Sequence, residues 1–261
     1  MEENWRKALT VLGAAPSFDL ACIGTSIHGL GAFTFEGLAC LACADVVYYY
    51  PPSTTHYEIM KLINNNLINL HDTLYVRGTA FEAAYDSIVN DVIGTLKSGR
   101  KIAYAVQGSP AFHCGTAVRL HRLAKQHGFS SILVSGVSSF ELLSAELSEH
   151  YDITSIQIYS VSRVVEATVA IDTRAPCLLF DLGRYALPAV RETASTFLGA
   201  KISVLAERLR ATYPPSHEIL LMHVTKNGSC CSIRTNPTDI EKALTHLNAG
   251  LTMFLPALRT P

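Results

Sequence analysis

Charge is scarce in this 261-residue chain: Asp, Glu, Lys and Arg together make up only 16% of it and balance to a net −1. So sparse a polar complement argues against long solvated tails. The lack of any basic stripe argues against nucleic acid as a partner. Long apolar runs are missing too. Mean hydropathy is +0.23 and 49% of residues are hydrophobic, but they come in short runs broken by Gly, Pro and charge. None approaches the roughly 20 residues that cross a bilayer. No membrane partner is expected, and part of the apolar surplus is expected to cover a subunit interface. The opening Met1-Glu2-Glu3 has the wrong sign for a secretory signal. The seven cysteines are odd in number and sit mostly in apolar surroundings, which favours reduced thiols in a cytoplasm over a disulfide framework. Cys40 and Cys43 form a C-x-x-C, but no second pair stands at ligand spacing, so they read as a small-residue helix face. Internal repeats and low-complexity segments are also absent. The length is ample for one large domain or two modest ones without staples.

What is present is strand–helix alternation. Residues 1–17 read as a leader. Asp19–Gly24, Val46–Tyr50, Ile68–Leu70, Ile102–Val106, Ser131–Val134 and Ile156–Tyr159 read as strands. Helices are expected over Phe33–Ala44, Thr54–Leu62, Phe81–Leu96, from about Gly115 to His127, and over Ser138–Glu149. The clearest is Phe81–Leu96, where Phe81, Tyr85, Ile88, Val89, Val92, Ile93 and Leu96 recur at helical spacing. Short connections between alternating elements imply right-handed crossovers and a largely parallel sheet. The second half differs in texture. Leu178–Phe180, Ile219–Val224, Cys230–Arg234 and Thr252–Leu255 read as strands and Ser203–Tyr213 as a helix. Lys226-Asn227-Gly228 reads as a hairpin turn, and Thr238–Glu241 as a capping box opening a helix that ends near Leu247. The expected division is an N-terminal α/β lobe over 18–160 and a C-terminal α/β lobe over 161–261.

In an open α/β sheet, ligands bind beyond the carboxyl ends of the strands. Three glycine-bearing segments occupy such ends: Gly24–Gly31, Gln107–His113 and Ser135–Ser139. Glycine lets backbone approach a ligand or another chain closely. The spacing Gly24, Gly29, Gly31 does not match the G-x-G-x-x-G of a dinucleotide site. That mismatch weakens an alternative reading as a nucleotide-dependent oxidoreductase.

Taken in order, the segments resemble the tetrapyrrole methylase family of S-adenosylmethionine-dependent methyltransferases. Ile23-Gly24-Thr25 with Gly29 is similar to that family's first Gly-rich turn. Ala44-Asp45-Val46-Val47-Tyr48 is similar to its second strand, Gly108-Ser109-Pro110 with Phe112 to its G-x-P-x-x-[YF] loop, and Ser135–Ser139 to its P-G-V-S-S segment. Leu178–Asp181 sits where the family has a cofactor-contacting strand. The resemblance implies a two-lobed α/β fold with a mostly parallel N-terminal sheet and a mixed C-terminal sheet. It further implies a homodimer, and S-adenosylmethionine held by Gly24, Thr25, Gln107, Gly108, Ser109, Pro110, Phe112, Ser138, Asp181, Leu182 and Thr225. Ser109 replaces the usual Asp and Ser135 the usual Pro, which argues against a standard porphyrin-pathway member.

Within the family the chain most resembles the peptide backbone N-methyltransferases of borosin biosynthesis, through Asn69-Leu70, the Tyr85 helix, Gly108–Phe112, Leu123–Phe129 and Phe254-Leu255-Pro256. Ending at Pro261, it resembles the split versions that modify a separate precursor peptide. A peptide nitrogen is a poor nucleophile. It must lose a proton while the amide oxygen is stabilised, and Tyr and Arg can supply base, hydrogen bonds and charge. The resemblance maps catalytic tyrosines onto Tyr75 and Tyr85. His71 stands where another Tyr is expected, and Phe81 where the branch has an Arg, with Arg77 nearby. Two alternatives stay open: a non-peptide acceptor, and a family member that binds cofactor or peptide without turnover. His28 and His113, in the first and second loops, are further candidate proton acceptors. Tyr48-Tyr49-Tyr50 reads mostly as strand packing.

Overall fold

The computed structural model describes residues 17–25, 32–51, 54–166, 168–187, 189–190, 199–225, 228–244 and 250–258. The leader, His28 with Gly29–Gly31, the turn residues Lys226 and Asn227 and the segment around Leu247 lie outside them. The chain divides into two compact units, residues 1–139 with 226–228, and residues 140–225 with 229–261.

The first unit is built on five strands: β1 (Leu20–Gly24), β2 (Val46–Tyr49), β3 (Leu67–Asn69), β4 (Ile102–Val106) and β5 (Ser131–Val134). They form one sheet in the order β3-β2-β4-β1-β5, with every pairing parallel. Successive side chains on a strand point to opposite faces, and both faces are covered. Leu20, Cys22, Val46, Tyr48, Ile102 and Tyr104 pack on one side under α4 (Phe81–Lys97) and α5 (Gly115–Gln126). Ala21, Ile23, Val47, Tyr49, Ala103 and Ala105 pack on the other with Cys40 and Leu41 of α1 (Phe35–Cys43) and Met60 of α2 (Thr54–Ile63). Burial on both faces explains why these strands read as continuous apolar runs rather than alternating ones. On α4 the buried set is Ala84, Ile88, Val89, Val92, Ile93 and Leu96, each large side chain contributing about 1.5–3 kcal/mol. Phe81 and Tyr85, expected on the same face, are only half-buried. A one-turn helix, α3 (Leu70–Thr73), which periodicity cannot detect, is capped by the Asn69 side chain accepting from the His71 N–H.

The second unit carries α6 (Ser139–Ser148), β6 (Gln157–Ser160), α7 (Val161–Val165), β7 (Cys177–Phe180), α8 (Leu182–Ala186), α9 (Gly199–Thr212), β8 (Ile219–Val224), β9 (Cys230–Thr235), α10 (Ile240–Ala243) and β10 (Thr252–Leu255). Its sheet runs β6-β7-β10-β8-β9. β6 and β7 are parallel and the other pairs antiparallel, as the mixed C-terminal sheet requires. The capping box expected at Thr238–Glu241 does not form. The Thr238 hydroxyl donates to the Pro215 carbonyl and Glu241 accepts from Arg210. The Asn236 side chain accepts from the Thr238 and Asp239 N–H groups instead. An Asx turn two residues upstream thus takes the Thr238 N–H, the donor that the Glu241 side chain would have accepted from.

Candidate active site

Because β1 to β5 are parallel, their carboxyl ends lie along one edge of the sheet. In spatial order that edge carries the segment after β3, then Tyr50, then Gln107–Phe112, then Gly24-Thr25, then Ser135–Ser138. From β1 the chain leaves toward β2 on one side, and from β4 it crosses to β5 on the other. The neighbouring ends of β1 and β4 are therefore the topological switch point, where such sheets bind ligands.

Three glycines meet there through their backbones. A Cβ added at Gly136 would stand 2.5 Å from the Gly108 carbonyl oxygen and 2.6 Å from the Gly24 carbonyl carbon. A Cβ added at Gly24 would collide with the same Gly108 oxygen and come within 2.5 Å of the Gly136 nitrogen. Gly24, which ends β1, and Gly136, just after β5, therefore serve first to let three loop backbones touch each other. Gly108 itself has φ +74°, a left-handed conformation. The next residue that departs from ordinary geometry is His113, at φ +50°, which closes the same loop and contacts the Phe112 ring at 4.7 Å between centroids.

The side chains expected to hold the cofactor fall into distinct roles. Thr25 is buried; both its backbone N–H and its hydroxyl donate to the Val106 carbonyl, at 2.8 and 2.9 Å. Its hydroxyl also bonds the buried Tyr49 hydroxyl. It ties the ends of β1 and β4 together. Gly108, Ser109 and Pro110 are buried and Gln107 and Phe112 half-buried, in a turn closed by the Phe112 N–H donating to the Ser109 carbonyl at 3.2 Å. Ser138 is buried just ahead of α6. In the second unit, Asp181 follows β7 at φ +63° and Leu182 is buried in that unit's core. Thr225 follows β8, its N–H and hydroxyl both donating to the Ser229 carbonyl. β7 and β8 both oppose β10, so Asp181, Leu182 and Thr225 share one edge of that sheet.

Beside the switch point lies a cluster of rings. Tyr50 contacts His71 at 4.3 Å and Tyr75 at 5.0 Å between centroids. Tyr75 stacks on Tyr85 at 6.2 Å, and Phe81 contacts Tyr85 at 6.2 Å. Tyr75, Tyr85 and His71, proposed from the sequence, are thus brought together; Arg77 lies on the exposed turn that follows Tyr75. The adjacent Tyr104 is buried, which raises its hydroxyl pKa well above its usual range; Tyr85 and Tyr75 lie close enough to add to that rise. Tyr50 is the member that sequence reasoning missed. Its two neighbours do pack: Tyr48 bonds Asp91 at 2.6 Å and Thr95 at 2.8 Å, burial and that carboxylate pushing its pKa up to about 12, and Tyr49 points to the opposite face. Tyr50 stands just past the end of β2, and its place at the carboxyl end of a parallel strand was the available signal. The C-x-x-C divides between environments. Cys40 is buried with its pKa pushed up to about 12, chiefly by burial, whereas Cys43 is exposed.

A family model described as Tetrapyrrole (Corrin/Porphyrin) Methylases matches residues 19–223. Curated relatives are fusions of a methyltransferase with a peptide precursor. The dendrothelin A precursor protein of Dendrothele bispora is 22% identical over 77% of this chain and 48% of its own length. The omphalotin A precursor protein of Omphalotus olearius is 23% identical over the same shares, and a type II borosin precursor protein of Phlebiopsis gigantea is 21% identical over 92% of this chain and 43% of its own length. The chain thus spans about half the length of the curated relatives it matches. Among solved structures, uroporphyrin-III-C-methyltransferase from Thermus thermophilus superposes with a TM-score of 0.63 at 15% identity, covering 92% of this chain and 94% of that one. Cobalt precorrin-4 methyltransferase superposes at 0.59 and 16% identity, covering 91% and 94%.

Proposed function

The chain belongs to the tetrapyrrole (corrin/porphyrin) methylase family, and from that premise we propose that it transfers a methyl group from S-adenosylmethionine to a backbone amide nitrogen of a precursor peptide. One observation carries the reading: along a single sheet edge, the glycine-lined switch point adjoins a cluster of three tyrosines and a histidine. The segments at the switch point, 24–25, 107–112 and 135–138, contain no ionisable side chain. Such neutral walls of backbone N–H and C=O groups suit a nucleoside held by shape and hydrogen bonds, and nothing in them would repel a sulfonium. Gln107, Gly108, Ser109, Pro110, Phe112 and Ser138 would hold it there, with Gly24 and Thr25 bracing the loop. When bound, the group supplies an electrophilic methyl for in-line displacement.

The chain's own task is to make the amide nitrogen nucleophilic. A hydroxyl of Tyr75 or Tyr85 hydrogen-bonds the amide oxygen, stabilising the negative charge that builds there as the N–H proton leaves. The His71 imidazole, against Tyr50, accepts that proton. Phe81 contacts the Tyr85 ring where the peptide-methylating branch has an Arg, so the oxygen is stabilised by phenol hydroxyls without a guanidinium from that position. The loss of that Arg favours a second reading, in which the chain binds cofactor and peptide without turnover. The protein is further proposed to be a cytoplasmic homodimer; among the described residues no helix is long and apolar enough to cross a membrane. Mass spectrometry of a candidate precursor peptide after incubation with S-adenosylmethionine tests the function. A 14-dalton increment on a backbone amide is expected. S-adenosylhomocysteine binding without any increment supports the second reading, and absence of both refutes the proposal.

A further inference from the structure

Leading away from the far end of the Gln107–His113 loop, the first unit has a groove of about 530 Å³ along the exposed face of α5, lined by Ala111, His113, Val118, Arg119, Arg122 and Leu123 among others. The helix positions recur at spacings of three and four residues, so they form one stripe, while Thr116, Ala117, Leu120 and Ala124 turn inward to the core. From Gly115 to Gln126 the stripe runs about 17 Å at about 1.5 Å per residue. An extended chain covers that length with about five residues at roughly 3.3 Å each, which is too long for a small anion. The groove is walled by apolar Ala111, Val118 and Leu123 and studded with cations. Arg119 bridges to Asp86 at 2.5 Å, and no acidic side chain pairs with Arg122 among the described residues. The local field is positive: His121, on the same helix, is held below its ordinary pKa by burial and further by Lys125 and Arg122. At its upper end the groove begins at Ala111 and His113, in the loop that leaves the switch point at Gly108.

We propose that this groove is a docking track for an extended segment of the peptide substrate in which acidic side chains alternate with apolar ones. Carboxylates meet Arg122 and Arg119 while the intervening apolar side chains lie against Val118 and Leu123, and the chain leaves past His113 toward the loop at Gly108. The assignment rests on the peptide-methylating reading for its occupant and on charge and length for its chemistry. It is tested by fluorescence anisotropy with two labelled hexapeptides, one alternating Glu and Leu and the other alternating Gln and Leu, against the whole chain. The Glu peptide is expected to bind about fivefold more tightly at low ionic strength, on the scale of one or two exposed ion pairs. That preference should vanish in high salt and in Arg122→Gln, with melting temperature and S-adenosylhomocysteine affinity unchanged. Arg119→Gln should weaken it as well. Equal affinity for the two peptides, or a preference that survives both substitutions, overturns the proposal. Methyl transfer to a precursor with no Glu preference would refute the groove alone. A Glu preference without methyl transfer would refute the catalytic reading and leave the groove standing.

Discussion

The close approach of three loop backbones predicts that one substitution, glycine to alanine, has opposite signs at two positions. At Gly136 the new Cβ would lie 2.5 Å from the Gly108 carbonyl oxygen and 2.6 Å from the Gly24 backbone, where ordinary contact starts at 3.4 Å. The loops would have to separate by about 0.9 Å, the difference of those two values. Every atom met is backbone at the end of a buried strand, so no side chain can swing aside. Overpacking of this kind costs about 1–3 kcal/mol, and three simultaneous backbone contacts place Gly136→Ala near the upper end. At about 2–4 °C per kcal/mol for a chain of this order, the melting temperature should fall by roughly 6–12 °C. S-adenosylhomocysteine affinity should fall with it, because the displaced loops form the switch point. At Gly94, within α4, an added Cβ meets nothing within 4 Å. There alanine should raise stability by about 0.5–1 kcal/mol, since it lowers the chain's backbone freedom in the unfolded state. Scanning calorimetry with and without S-adenosylhomocysteine reads both. If Gly136→Ala melts within a degree of the parent and binds equally well, the three backbones do not meet as closely as this packing requires.

The remaining predictions concern the site and the thiols. Tyr75→Phe and Tyr85→Phe keep the stacked rings and remove only hydroxyls, so at least one of them should lower kcat by about 10²-fold with melting temperature and cofactor affinity preserved; native rates in both would refute the mechanism. His217 and His121 are held below their ordinary value of 6.5, each chiefly by burial. The unfolded chain therefore takes up protons near pH 6.5 before the folded one does. Their contribution to stability is full above that pH and is lost as pH falls through 6.5 toward the depressed values, so a melting temperature flat or rising from pH 7 down to about 5 would contradict it. Cys43 and Cys231 are exposed, whereas Cys22, Cys40 and Cys177 are buried, with burial pushing the last two up to about 12. A thiol reagent at neutral pH should label Cys43 and Cys231 first and the buried three only on unfolding; early labelling of Cys40 would mean that α1 opens.

Much of the fold is written locally. β1, β4, β5 and β8 coincide with apolar runs visible in the sequence, and α4 follows from the recurrence of Ile88, Val89, Val92 and Leu96, because burial on one helix face imposes a period that survives in the chain. Short elements such as α3, α7 and α8 leave no such period, since one turn of helix fits almost any pattern. The capping box at Thr238 had the right residues, but a nearby Asn236 captured the Thr238 N–H, a competition that depends on geometry rather than residue type.

For the site, the sequence by itself determined which residue types stand at the carboxyl ends of the strands: glycines after β1, β4 and β5, and polar rings around β3 and at the start of α4. Only the tertiary structure decided who neighbours whom. The order β3-β2-β4-β1-β5 inserts β4, sequentially remote, between β1 and β2, which sets Tyr50 beside the Gly108 loop, and pairs β1 with β5, which sets Gly24 against Gly136. Strand order is a contact between segments many residues apart, and no local period encodes it. For the same reason Thr25, a plausible ligand in the sequence, has its hydroxyl bonded to the Val106 carbonyl, whereas the Thr225 hydroxyl is taken locally by the Ser229 carbonyl across the β8–β9 turn. Tyr50 is read as strand packing from its own neighbours, yet it joins His71 and Tyr75 because two parallel strands end side by side.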